Sequence, residues 1–228
     1  MFILADSRIP QQAKENLSKY GNVIHFSTEG LVYEAISGHP DIFFCQVNGK
    51  LVVAPNVPDL YKNILSKNNI PFIEGEEPVG PKYPETAHYN IVATQNYLIH
   101  NFRYTDSIIT NLGNGIDLIH SGQGYTRCNL VPLADDYFIT SDEGIRRVIH
   151  GYNLPYLFID SKDVLLPGVN HGFFGGACGV HENTFFVLGS LSKFKEGNKL
   201  KEYLEKLDYK IIELYDGPLF DGGSLFFI

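Results

Sequence analysis

The sequence predicts an α/β fold of five like units set in a ring. Each unit runs strand, strand, helix, strand, and the ring forms one domain over residues 1–228. Three observations predict it. Apolar strands that run into turn residues begin at Phe2, Leu51, Tyr97, Tyr137 and Phe185, roughly 40 to 50 residues apart, a period that marks repeat architectures. The interval from Phe185 through the end of the chain and back to Phe2 falls in the same range. Finally, the chain closes on Gly222-Gly223-Ser224-Leu225-Phe226-Phe227-Ile228, a first strand with no second, and opens on Phe2-Ile3-Leu4-Ala5, a second strand with no first. Pairing the two completes a fifth unit and removes exposed sheet edges, which otherwise invite aggregation.

The elements follow in order. Pro10 suits the first turn of a helix after the opening strand, and Val23 to Ser27 supplies the next strand. Ile42 to Val47 reads as extended and turns at Asn48-Gly49 into Leu51-Val52-Val53-Ala54; Asn-Gly between apolar runs is the strongest short hairpin signal. Pro58 opens the following helix, and Pro71 to Glu74 is its strand. Tyr97 to Phe102 leads to a short helix near Asp106 to Leu112 and a strand from Ile116 to His120. Asn129 to Leu133 turns at Asp135-Asp136 into Tyr137 to Thr140. Ser141 or Asp142 caps a helix with apolar positions Ile145, Val148 and Ile149, followed by a strand at Val164 to Leu166. Gly176 to Val180 turns at Glu182-Asn183 into Phe185 to Leu188. Leu200, Tyr203, Leu204 and Leu207 then form a stripe at helical spacing, and Lys210 to Tyr215 is the last such strand.

Composition narrows the function. A net charge of −8 argues against nucleic acid, whose phosphates need clustered Lys and Arg. No apolar run reaches membrane-spanning length, and no basic segment precedes a long apolar core at the start, so no membrane partner is expected and the protein is expected to be cytosolic. Cys45, Cys128 and Cys178 are odd in number and lack a CxxC pair, which fits free thiols in a reducing compartment. The glycine pairs at Gly113-Asn114-Gly115, Gly122-Gln123-Gly124 and Gly175-Gly176 match neither a phosphate loop nor a dinucleotide fingerprint. They are read as structural turns, and no cofactor is implied.

A ring of five such units resembles the pentein fold of the guanidino-group-modifying enzymes: arginine and agmatine deiminases, dimethylarginine dimethylaminohydrolases and amidinotransferases. Local motifs carry the resemblance further. Pro40-Asp41-Ile42-Phe43-Phe44 is similar to the family's Pro-Asp-x-x-Phe, whose Asp helps hold the substrate. His171 followed by Asn183-Thr184-Phe185-Phe186-Val187 is similar to the family's acid/base histidine and the strand after it. Ser141-Asp142-Glu143-Gly144-Ile145 resembles its turn into a helix, and Asp221-Gly222-Gly223-Ser224-Leu225 the approach to its nucleophilic cysteine. The departures bear on activity. Phe226 stands where the family carries that cysteine, and a phenyl ring cannot attack a guanidinium carbon. Thr126-Arg127-Cys128-Asn129 replaces a Glu-Gly-Gly-Asp stretch, Cys45, Gln46 and Val47 stand where relatives carry carboxylates, and the family's arginine for the substrate carboxylate has no match.

The candidate site residues each have two readings. His171, between Asn170 and Gly172 in a glycine-rich loop, is an acid/base with Asn170 as a binding neighbour, or an ordinary loop histidine. Asp41 and Asp221 bind a cation or guanidinium, or bond their own backbone as turn residues. Cys128 or Cys178 is a relocated nucleophile if a histidine or Arg127 lowers its pKa, or a buried inert thiol. His171, Cys178 and His181 match no zinc spacing, so no metal site is expected. Two functions follow. The first is a non-hydrolytic protein that binds a small cationic or amino-acid-like ligand; the second is a C–N hydrolase using His171 and a relocated thiolate. A weaker third is a scaffold for a protein or ribosome, since an anti-association factor of the large ribosomal subunit also has five-fold pentein architecture.

Overall fold

A computed structural model describes residues 1–228 as five three-stranded sheets. The chain opens with β1 (Phe2–Asp6), α1 (Gln11–Leu17) and β2 (Asn22–Phe26). A helical turn, α2 (Pro40–Phe43), leads into β3 (Phe44–Val47), β4 (Lys50–Val53), α3 (Asp59–Lys67) and β5 (Phe72–Glu74). Next come β6 (Val92–Ala93), β7 (Tyr97–His100), α4 (Ser107–Leu112) and β8 (Asp117–His120). The turn α5 (Thr126–Asn129) precedes β9 (Leu130–Pro132), β10 (Phe138–Thr140), α6 (Glu143–Gly151) and β11 (Tyr156–Phe158). A 3-10 turn at Gly175–Ala177 precedes β12 (Cys178–His181), β13 (Thr184–Val187), α7 (Gly197–Lys206) and β14 (Lys210–Glu213), and the chain ends with β15 (Phe226–Phe227).

Every sheet repeats one pattern: a central strand pairs antiparallel with the strand before it and parallel with the strand after the helix. The fifth sheet is assembled from both ends. β1 lies between β2, parallel, and β15, antiparallel, with Ile3 opposite Phe227 and Leu4 opposite Phe226. Phe2 and Ile228 exchange a further pair of backbone hydrogen bonds, at 2.8 and 2.9 Å. The expected meeting of the two ends is therefore present, with nothing joining them but the sheet.

The local signals act as their chemistry requires. Asn48 and Gly49 both take positive φ, 51° and 70°, the turn whose twist matches a two-residue hairpin. Asp142 caps α6 by accepting from Ile145 N at 2.7 Å, and Asp106 caps α4 by accepting from Ile108 N at 2.8 Å. The stripes bury Ile145 and Ile149 in α6 and Leu200 and Leu204 in α7. No helix is long and apolar enough to cross a membrane.

Four expectations need correction. The strand after α6 is Tyr156–Phe158, beside Phe138–Thr140; Val164 to Leu166 contributes one isolated bridge, Leu165 to Phe220. Both segments are apolar, and only β10 decides which one it pairs with. The first residues of three expected strands, Ile42 and Phe43, Asn129, and Gly176 and Ala177, belong instead to single turns at Pro40–Phe43, Thr126–Asn129 and Gly175–Ala177. Asp41 thus sits in a helical turn and does not open a strand.

Candidate functional site

These turns touch one another, and they carry the polar interior. Asn90 Nδ2 donates to the Asp41 carbonyl at 3.1 Å. The backbone N–H groups of Thr126 and Arg127 both donate to the Asn90 carbonyl at 3.1 Å, and that of Cys128 donates to Asn90 Oδ1 at 3.2 Å. Gly175 packs so closely on the carbonyls of Arg127 and Cys128 that a Cβ there would lie 2.2 and 2.7 Å from them. The N–H groups of Gly222 and Ser224 donate to the Gly176 carbonyl at 3.0 Å, and that of Asp41 donates to the Gly223 carbonyl at 3.1 Å. Each turn is thus bonded or packed to the next, and the last reaches the first.

Asp41 lies at the centre of this cluster and is fully buried. Its Oδ2 lies 3.1 Å from the Cys128 thiol and 3.0 Å from the Ser224 hydroxyl; its Oδ1 has no partner. Ser224 Oγ also lies 3.0 Å from the Gly175 carbonyl, yet a hydroxyl has one proton to give. The one proton is therefore shared, the hydroxyl facing the Asp41 carboxyl and the Gly175 carbonyl together. Burial pushes the Asp41 carboxyl up, with the Asp221 charge adding to the rise and His39 opposing it.

A second group lies alongside. Asp221 is buried and accepts from the backbone N–H groups of Phe173, at 2.8 Å, and Gly223, at 3.0 Å. Loss of solvation outweighs those bonds and pushes its carboxyl up to about 6. His39, 1% exposed, has Nδ1 3.8 Å from Asp221 Oδ1 and Nε2 3.9 Å from Asp6 Oδ2, and its Nε2 has no hydrogen-bond partner. Burial holds its pKa below the usual histidine range despite the neighbouring carboxylates. Asp6 is already occupied: Arg8 grips both its oxygens through Nε and Nη2, at 2.6 to 3.2 Å, and sends further bonds to the Glu34 and Ala35 carbonyls.

The expected site residues divide. Asp41 and Cys128 are hydrogen-bonded, and Asp221 lies near enough for its charge to raise the pKa of both. His171 and Asn170 are exposed; the His171 ring lies edge-on to Phe173 at 6.3 Å, with Nδ1 2.9 Å from the Gly172 carbonyl. Asp221 holds the loop that carries His171, through Phe173 N, but the histidine itself stays outside the buried cluster. Cys178 directs its thiol at the Phe174 and Gly175 carbonyls. Burial pushes the thiols of Cys45, Cys128 and Cys178 up, and Asp41 and Asp221 push Cys128 further. The condition for a relocated thiolate, a lowered pKa, is met at neither Cys128 nor Cys178. Phe226 is fully buried, with the Arg127 guanidinium stacked 4.1 Å above its ring centroid.

His39, Asn90, Ser224 and Asp6 were not singled out from the sequence. The repeat itself held the signal for two of them. Asn90 stands 49 residues after Asp41, and Ser224 stands 49 after Gly175, so each holds the place before its unit's first strand that its partner holds in another unit.

Comparison with known proteins places this arrangement. The model of a family of unknown function, DUF6873, matches residues 4–226. No curated protein matches the sequence. Solved structures share the fold at low identity. An agmatine deiminase from C. jejuni is 11% identical with a TM-score of 0.53, over 93% of this chain and 74% of that one. The DDAH of Pseudomonas aeruginosa, solved with citrulline, is 9% identical with a TM-score of 0.54, over 93% and 91%. SxtG, an amidinotransferase from Microseira wollei, is 10% identical with a TM-score of 0.55, over 93% and 87%. The chain has the pentein fold of the guanidino-group-modifying enzymes.

Proposed function

The chain belongs to the DUF6873 family, and we propose that it is a non-hydrolytic binding protein for a small guanidino or amino-acid-like compound. In this reading the five sheets are blades of one ring, closed by β15 against β1, in a single cytosolic domain. The observation that supports it is that no activated thiol stands among the clustered turns: Phe226 takes the place of the cysteine that the guanidino-group-modifying enzymes carry, and every thiol is buried and raised. What the cluster keeps is two buried carboxyl groups, Asp41 and Asp221, and the Arg127 guanidinium, without an activated nucleophile.

The test pairs a binding assay with an activity assay. Arginine, methylated arginines and agmatine are screened for a rise in melting temperature. A ligand bound only to the folded state at a hundred times its Kd adds about 2.7 kcal/mol. Ammonia and amine release from the same compounds is expected to stay at the blank. Release that thiol alkylation abolishes would replace this reading with a C–N hydrolase, and a flat thermal screen would remove its ligand class.

A further inference from the structure

A cavity of about 560 Å³ opens at the hairpin end of the sheets. Its rim is made by the turns between paired strands, including Asn48, Asn96, Asp135 and Asp136, and its floor reaches Arg127, Gly175 and Ser224. Asp41 bonds the same Ser224 hydroxyl that lines this floor, and it sits at the opposite end of β3 from Asn48. The cavity therefore approaches the buried cluster from the hairpin side.

Arg127 is the one cation lining it. The guanidinium is stacked on Phe226 by one face, a contact that leaves its in-plane N–H edges free. Its Nε is buried without a hydrogen-bond partner, and no carboxylate lies within ion-pairing distance. Arg127 lines the cavity. The residue is half-buried, and the Nε–H, cut off from water without an acceptor, is a donor whose desolvation is costly. A planar oxyanion seated in the plane of the fork supplies the missing acceptors. The rim favours one kind of anion over others. Asp135 is exposed and Asp136 half-exposed, so a dianion meets repulsion there, whereas a ligand with a cation at its far end meets attraction.

We propose that this cavity binds a small organic acid bearing an amino or guanidino group at its far end, with Arg127 taking the carboxylate and Asp135 and Asp136 facing the cation. The proposal rests on the small-molecule reading above and adds to it a place, an orientation and the requirement for a carboxylate.

The probes are 4-guanidinobutyrate, agmatine and inorganic phosphate. The Arg127 Nε–H resonance is assigned by its loss in Arg127→Met and Arg127→Lys. Titration with 4-guanidinobutyrate is expected to shift that resonance saturably and to raise the melting temperature. Agmatine, which carries an amine in place of the carboxylate, and phosphate are expected to leave the resonance unmoved. Arg127→Met is expected to melt no lower than the parent when unliganded and to bind 4-guanidinobutyrate at least tenfold more weakly. Arg127→Lys, which keeps the charge but loses the planar fork, is expected to weaken it by a similar factor. Agmatine stabilising the protein as well as the acid does, undiminished in Arg127→Met, would overturn the Arg127 site while sparing the small-molecule reading. Phosphate alone moving the resonance would also overturn it, and stabilisation by none of these compounds or the other guanidines would overturn both.

Discussion

The thiol of Cys128 donates a hydrogen bond to Asp41 Oδ2 at 3.1 Å, although 87 residues separate the two. A nucleophilic cysteine needs a base to take its proton or a cation to stabilise the thiolate. Here burial and the neighbouring Asp41 and Asp221 carboxyls all push the thiol pKa up, which holds Cys128 in its neutral form.

Native-state thiol chemistry follows from that pairing. Cys45, Cys128 and Cys178 are all free and buried. A thiol reagent is expected to label none of them in the folded protein within minutes, and all three after denaturation. Rapid labelling of a single thiol in the native protein would identify an activated cysteine.

Phe226 ties together β15, the core and Arg127. Phe226→Ala is expected to cost about 3 to 5 kcal/mol, from lost burial and the cavity left behind. Urea denaturation followed by circular dichroism measures it. A loss below about 1 kcal/mol would mean that the last strand adds little to the fold.

Stability should depend on pH through Asp221. Its folded-state pKa, about 6, lies above the ordinary carboxylate value of 3.8, so the native state holds this proton more tightly. The contribution is fully present below about pH 4 and is lost as pH rises through about 6, amounting to about 3 kcal/mol by linkage. Asp41 acts in the same direction, and His39, whose pKa is lowered, acts in the opposite one. The readout is therefore a difference: Asp221→Asn is expected to remove the decline between pH 4 and 6 relative to the parent. Parallel stability curves for the two proteins would sink the assignment.

Gly176 tests the packing around the same carboxylate. A Cβ there would lie 1.9 Å from Asp221 Oδ1, and the buried Asp221 side chain has no room to retreat. Gly176→Ala is expected to lower stability by about 1 to 3 kcal/mol, measured by thermal denaturation at pH 7. A neutral effect would show that Asp221 can move.

Much of the architecture could be read along the chain, because its signals are local. Asn48-Gly49 needs only its own φ angles to make a hairpin, Asp142 only the N–H three residues on, and Leu200 and Leu204 only their helical spacing. The pairing of β15 with β1 was legible for a different reason: two unpartnered half-hairpins at opposite ends of a repeat have one economical solution. Where two apolar segments competed, at Tyr156–Phe158 and Val164–Leu166, the sequence offered no way to choose, since the choice lies with β10.

The site divides along the same line. The motifs that resemble the guanidino-group-modifying enzymes could be read along the chain: Phe226 where those enzymes carry a cysteine, with Asp41, Asp221 and His171 at the other matching positions. Their surroundings come from packing, which sets Asp41 and Asp221 in the interior with His39 and leaves His171 at the surface. It also turned Cys128 from a prospective nucleophile into a hydrogen-bond donor and left Arg127 beside a cavity with no counter-ion. The physical reason is that ionisation is set by desolvation and by charges a few ångströms away, and those neighbours come from turns some 40 to 180 residues apart.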